Sequence, residues 1–125
     1  MTPFKPTITV LYADEAGKSH FKYMQVETSE LAFAPPAPAV SVSAPAEVKR
    51  HLFLSLPGKW YGEPHPAPNR QMMTVLNGSL EVTVSDGTTR IFRGGDTALV
   101  EDTTGDGHAT RNLGDEVLSL SVTQY

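Results

Sequence analysis

The 125-residue chain contains no cysteine. Disulfides, thiolate metal sites and cysteine nucleophiles are therefore excluded, which suits a reducing compartment. An excess of positive charge is missing too: Lys+Arg 10 against Asp+Glu 14 leave a net charge of −4. Nothing in that balance attracts nucleic acid or an anionic membrane. No apolar run approaches the length that spans a bilayer, and the opening MTPFKPTITV lacks the apolar core of a signal peptide. A soluble cytoplasmic protein is the expectation. A sustained helical period is also absent. At this length one core can form without staples, so the chain reads as a single domain, with N-terminal strands and a proline-rich arm over 1–47 and a barrel core over 48–125.

What is present is alternation. Ile8, Val10 and Tyr12 predict a strand over Thr7–Tyr12, and Phe21–Val26 completes a hairpin with it across the polar loop at Gly17. Phe21 and Tyr23 suit core packing or a pocket wall. Prolines 35, 36, 38 and 45 forbid a helix or a central strand, so that segment reads as an ordered arm with an edge strand at Val40–Ser43. Further strands are predicted at Val48–Leu56, Leu80–Val84, Thr88–Phe92, Thr97–Glu101 and Leu118–Thr123, with Asp86-Gly87 as the strongest hairpin turn. Lys59–Pro64 reads as a loop. Many short strands with glycine turns indicate an all-β sandwich or barrel.

The stretch His65–Gly78 organises the functional reading. Taken as strand, turn, strand, it puts His65, Ala67, Gln71 and Met73 on one face and makes Asn77-Gly78 a tight turn. Two blocks then resemble the paired motifs of the cupin family. In the first, of the form G-x5-H-x-H-x3-4-E-x6-G, the last four positions hold His65, Ala67, Gln71 and Gly78, with alanine for the second histidine and glutamine for the glutamate. In the second, G-x5-7-P-x-G-x2-H-x3-N, stand Gly95, Thr103 in place of proline, Gly105, His108 and Asn112. The resemblance covers residues 65–112 and implies a conical β-barrel of jelly-roll type, the double-stranded β-helix. It also implies a homodimer paired through N-terminal strands.

In family members with the full motif, three histidines and a carboxylate hold a divalent metal that performs dioxygenase, isomerase, decarboxylase or lyase chemistry. Carried over residue by residue, this leaves His65 and His108 as imidazole ligands and Gln71 as a neutral oxygen ligand for iron, zinc, manganese or nickel. Ala67 contributes nothing, and the missing negative charge weakens such a site; Glu101 or Asp102 restores it only if the loop turns inward. The other reading has no metal: His65 and His108 are pocket histidines bonded to Gln71, Thr110 or water. Trp60 and Tyr61 precede the motif and are expected at the barrel mouth. Met72 and Met73 must face opposite sides, Arg70 and Arg111 suit surface ion pairs, and His20 and His51 read as ordinary surface or edge residues. Two functions stay open: a His-based or metal-assisted enzyme acting at His65 and His108 on a small polar metabolite held by Trp60, Tyr61, Gln71, Met73 and Thr110, or a metal-free, non-catalytic binding or sensory module.

Overall fold

A computed structural model describes residues 4–125; residues 1–3, on which the leader reading partly rests, lie outside it. The strands are β1 (Thr7–Ala13), β2 (Ser19–Gln25), β3 (Thr28–Leu31), β4 (Val40–Ser43), β5 (Arg50–Leu56) and β6 (Tyr61–His65), followed by β7 (Gln71–Val75), β8 (Ser79–Val84), β9 (Thr89–Arg93), β10 (Thr97–Val100), β11 (His108–Asn112) and β12 (Leu118–Gln124). Six of them form one sheet in the order β2-β1-β10-β7-β12-β5, and four form a second in the order β6-β11-β8-β9. The proline-flanked pair β3-β4 stands apart. No helix among the described residues is long and apolar enough to cross a membrane.

Alternation along β8 and β12 sends every second residue inward, as the period of a half-buried strand requires. Leu80, Val82 and Val84 thereby meet Leu118, Leu120 and Val122 in one core between the sheets, with Phe21 packed against its edge. A second, smaller cluster of Ile8, Val10 and Leu99 lies on the outer face of the large sheet, joined by Met72. This outer cluster explains why β1 buries the adjacent residues Val10 and Leu11. Met72 and Met73 do face opposite ways, Met72 to this cluster and Met73 toward the main core. Tyr23 is largely exposed.

The β1–β2 and β8–β9 hairpins form as alternation and turn residues predict, and the edge strand at Val40–Ser43 pairs with β3. Three strands escape the periodic pattern. β3 carries no apolar alternation, and β11, HATRN, is a mostly polar strand held centrally between β6 and β8. β6 replaces the expected loop: it is the edge of its sheet, where Pro64 withholds no ladder hydrogen bond.

The continuous strand expected from His65 is also broken. His65 ends β6, Gln71 begins β7, and the two strands belong to different sheets. Pro66 and Pro68 account for the break by removing backbone donors. Asn77-Gly78 is accordingly a corner between the sheets and not a tight hairpin. Gly78 takes φ +80 there, while Asn77 ties the corner to β12 by accepting from Ser119 N–H at 2.8 Å and donating to Val117 C=O at 2.8 Å.

Candidate functional site

His65 and His108 are direct register partners across the β6–β11 ladder. Their ring centroids lie 5.4 Å apart, with 42° between the planes. Both line a cavity of about 240 Å³, together with Trp60, Gln71, Met73 and Thr110. The sequence reading of this face holds although its backbone is discontinuous, because the proline loop returns the chain so that Ala67 and Gln71 border the same space as His65. Tyr61 does not join them. It is exposed and stacks under the Arg111 guanidinium, 4.4 Å from the ring centroid. Alternation explains the split: Trp60 and Tyr61 are neighbours, so one faces in and the other out.

Each imidazole is oriented through Nδ1, though not by the residues expected. His108 Nδ1 donates to Asp102 Oδ2 at 2.6 Å, and His65 Nδ1 donates to the Glu63 carbonyl at 2.7 Å. Neither bonds Gln71 or Thr110. Asp102 is fully buried and His108 is 7 % exposed, so the carboxylate–imidazole pair is shielded from water and its hydrogen bond is of the strong, charge-assisted kind. With Nδ1 committed as donor, a neutral ring presents Nε2 as an acceptor. Neither Nε2 has a hydrogen-bond partner among the described residues. Asp102 Oδ1 also lacks one.

At the other end, Gln124 Nε2 donates to Gln71 Oε1 at 3.0 Å, while Gln71 Nε2 reaches only the Met73 sulfur at 3.6 Å. Gln124, the last residue of β12, is a site residue the sequence did not announce; its only signal was its inward phase with Leu118, Leu120 and Val122.

The loop carrying Asp102 is gripped from outside by the β1–β2 turn. Ser19, fully buried, donates to Gly107 C=O at 2.6 Å, and Asp106 N–H donates to Gly17 C=O at 2.8 Å. Beside Ser19, His20 places Nε2 2.7 Å from Asp14 Oδ2 and Nδ1 2.9 Å from Asp86 Oδ2. The Asp14 bond first, then the Asp86 bond, holds the His20 pKa above its ordinary value. His20 also holds Asp14 below the usual carboxylate range, whereas Asp86 is lowered chiefly by its Thr88 contacts. His20, on edge strand β2, is therefore also a clasp between two hairpins, a role the sequence did not announce. Arg70 and Arg111 do form surface ion pairs, with Glu101 at 2.6 Å and Glu81 at 3.8 Å.

These positions bear on the metal that the fold family implies. Among the described residues no group of three or more His, Cys, Asp or Glu side chains converges as a metal site. Asp102 orients His108, Glu101 pairs with Arg70, the Gln71 oxygen already accepts from Gln124, and alanine stands where a further imidazole would be. A hard divalent cation needs more oxygen or imidazole donors than two Nε2 atoms. The residues present do not fit the group.

Residues 51–123 match the family model described as "Cupin domain". Among solved structures, the cupin domain of Cnp3 from Schizosaccharomyces pombe is 19% identical, with a TM-score of 0.50 over 95% of this chain and 81% of that one. An RmlC-like cupin from Shewanella frigidimarina is 14% identical, with a TM-score of 0.48 over 94% and 85%. The conserved SPY1581 protein of unknown function from Streptococcus pyogenes is 24% identical, with a TM-score of 0.48 over 66% and 68%. No curated protein matches the sequence. The match spans more than half of the chain, in a two-sheet jelly roll with both motif histidines on adjacent, paired strands, and the chain belongs to the cupin family.

Proposed function

We propose that this protein binds a small molecule in the cavity between its sheets and that His108, held by Asp102, transfers a proton to or from it. One observation carries the reading: a buried carboxylate fixes the imidazole through Nδ1 at 2.6 Å, leaving Nε2 as the reactive nitrogen beside a cavity of about 240 Å³. A general base needs a fixed tautomer and a ligand-side nitrogen within hydrogen-bond reach, and a carboxylate behind the ring stabilises the imidazolium that forms when it takes the proton. His65, at the rim, supplies a second nitrogen for the same ligand head.

Binding without turnover is the second reading, favoured by a cavity whose only ionisable lining groups among the described residues are the two imidazoles. We extend the proposal to a homodimer, supported by the exposed apolar residues Leu31, Phe33, Val40 and Phe53; sedimentation velocity tests that part.

Equilibrium dialysis of wild type and His108→Ala against a metabolite extract, followed by mass spectrometry, tests the whole. A compound enriched by the wild type alone is expected. In D₂O the wild type should exchange a C–H or shift a proton on that compound, with Asp102→Asn slower by about 100-fold or more. Enrichment without exchange leaves the binding module. Enrichment unaffected by His108→Ala refutes the proposal.

A further inference from the structure

From the chemistry of the cavity wall we infer that the ligand is a neutral, apolar-bodied compound of about ten non-hydrogen atoms carrying a hydroxyl head, such as a phenol or an enol. The inference rests on the binding reading above and narrows it. It also departs from the polar metabolite that the sequence suggested.

Size comes first. A cavity of about 150 Å³ accepts benzene, so about 240 Å³ accepts a ring with a short branch. Charge comes next. Among the described residues no Lys, Arg, Asp or Glu lines this cavity, and Asp102 is sealed behind His108. A phosphate, a dicarboxylate or an ammonium group would leave water without a fixed counter-ion to receive it, which is costly. The wall then sets the body of the ligand. Leu52, Leu54 and Leu56 project from alternate positions of edge strand β5 as one apolar row, and Trp60, Leu120 and Val122 complete it.

The polar end sets the head. His65 and His108 spend their Nδ1 hydrogens on Glu63 and Asp102 and in the neutral state offer Nε2 acceptors. Gln124 contributes no acceptor to the ligand, since its Oε1 is sealed from the cavity and its Nε2 is spent on Gln71. The two Nε2 acceptors need a donor from the ligand, and a ligand O–H supplies it while its oxygen can accept from Gln71 Nε2 or the Thr110 hydroxyl on the same wall; an ether or a carboxylate brings no donor. Such a hydroxyl would also be the proton that His108 removes, leaving the oxyanion beside the imidazolium; return of the proton to oxygen or to an adjacent carbon closes the step without oxidant or reductant.

The chain has a single tryptophan, so the Trp60 indole N–H gives one isolated resonance at the cavity. The full-length protein is titrated at pH 8 with 4-propylphenol, its methyl ether 4-propylanisole, 4-propylbenzoate and glycerol. The phenol is expected to shift the Trp60 resonance to saturation, and the ether and the benzoate to bind at least tenfold more weakly. Glycerol should produce no shift. Leu54→Asp, which places a fixed charge on the half-exposed edge of the leucine row, should weaken the phenol at least tenfold while amide dispersion confirms the fold. Benzoate or glycerol binding as tightly as the phenol, an ether equal to the phenol, or no binding of the phenol overturns the ligand class. Binding of any of the four that His108→Ala leaves unchanged overturns instead the proton-transfer reading beneath it.

Discussion

Gly107→Ala, compared with Gly87→Ala, tests how tightly the fold presses the two imidazoles together. Gly107 and Gly87 both have positive φ, +71 and +94, so alanine at either pays the left-handed strain of an L-residue, about 1–2 kcal/mol. Their surroundings differ. A Cβ at Gly87 meets nothing within 4 Å, whereas at Gly107 it would lie 2.0 Å from the backbone carbon and oxygen of His65 and 2.3 Å from Pro66 N. Those atoms are backbone, so relief requires β6 and β11 to part just where His65 pairs with His108. Gly107 C=O is moreover fixed by Ser19, so the glycine itself is poorly placed to retreat. We expect Gly87→Ala to cost only the strain, and Gly107→Ala to cost more than about 4 kcal/mol, the range reserved for defects of this kind. For a chain of this length 1 kcal/mol moves the melting temperature by roughly 3–6 °C. The first variant should melt about 5 °C below wild type, and the second more than about 12 °C below by circular dichroism. The Trp60 indole resonance should move in Gly107→Ala alone. Equal melting shifts in the two variants would refute the close approach at Gly107.

Asp102→Ala leaves the His108 donor buried without a partner and should lose about 1–3 kcal/mol more than Asp102→Asn, whose amide oxygen can still accept; urea denaturation of the pair measures the difference. Asn112 donates to the Leu56, Pro57 and Glu116 carbonyls and accepts from Gly114 N–H. Asn112→Ala should therefore cost about 2–4 kcal/mol in the same assay, and a loss under about 1 kcal/mol would show that water replaces the side chain. Because the His20 pKa is raised by Asp14 and Asp86, its stabilisation is complete below the unfolded pKa of about 6.5 and is lost as pH rises through the folded value. The lowered Asp14 and Asp86 lose theirs as pH falls through their folded values. Wild type should thus exceed His20→Gln most between about pH 4 and pH 6.5, and parallel melting profiles from pH 4 to 9 would count against the clasp. Untagged protein should carry less than stoichiometric metal and melt at the same temperature with or without chelator; stoichiometric metal lost in both His65→Ala and His108→Ala would restore the metalloenzyme.

The sequence by itself determined the fold class and most strands, because a side-chain period of two in β1, β8 and β12 is a local property that needs no partner to be legible. Motif spacing likewise identified His65 and His108 before any geometry was known. Polar strand β11 and edge strand β6 were invisible, since neighbouring strands hold them and their own periodicity does not. Tertiary structure alone decided what stands behind the His108 imidazole. Asp102 meets the His108 ring only once the loop between β10 and β11 is folded, and Gln124 reaches Gln71 across 53 positions of chain, whereas Glu63 is a local partner two residues before His65 in β6. It also decided the character of the cavity, where an apolar row from β5 faces two nitrogens from another sheet. Contacts between strands distant in sequence leave no periodic trace, so the site's chemistry emerges only where the sheets meet.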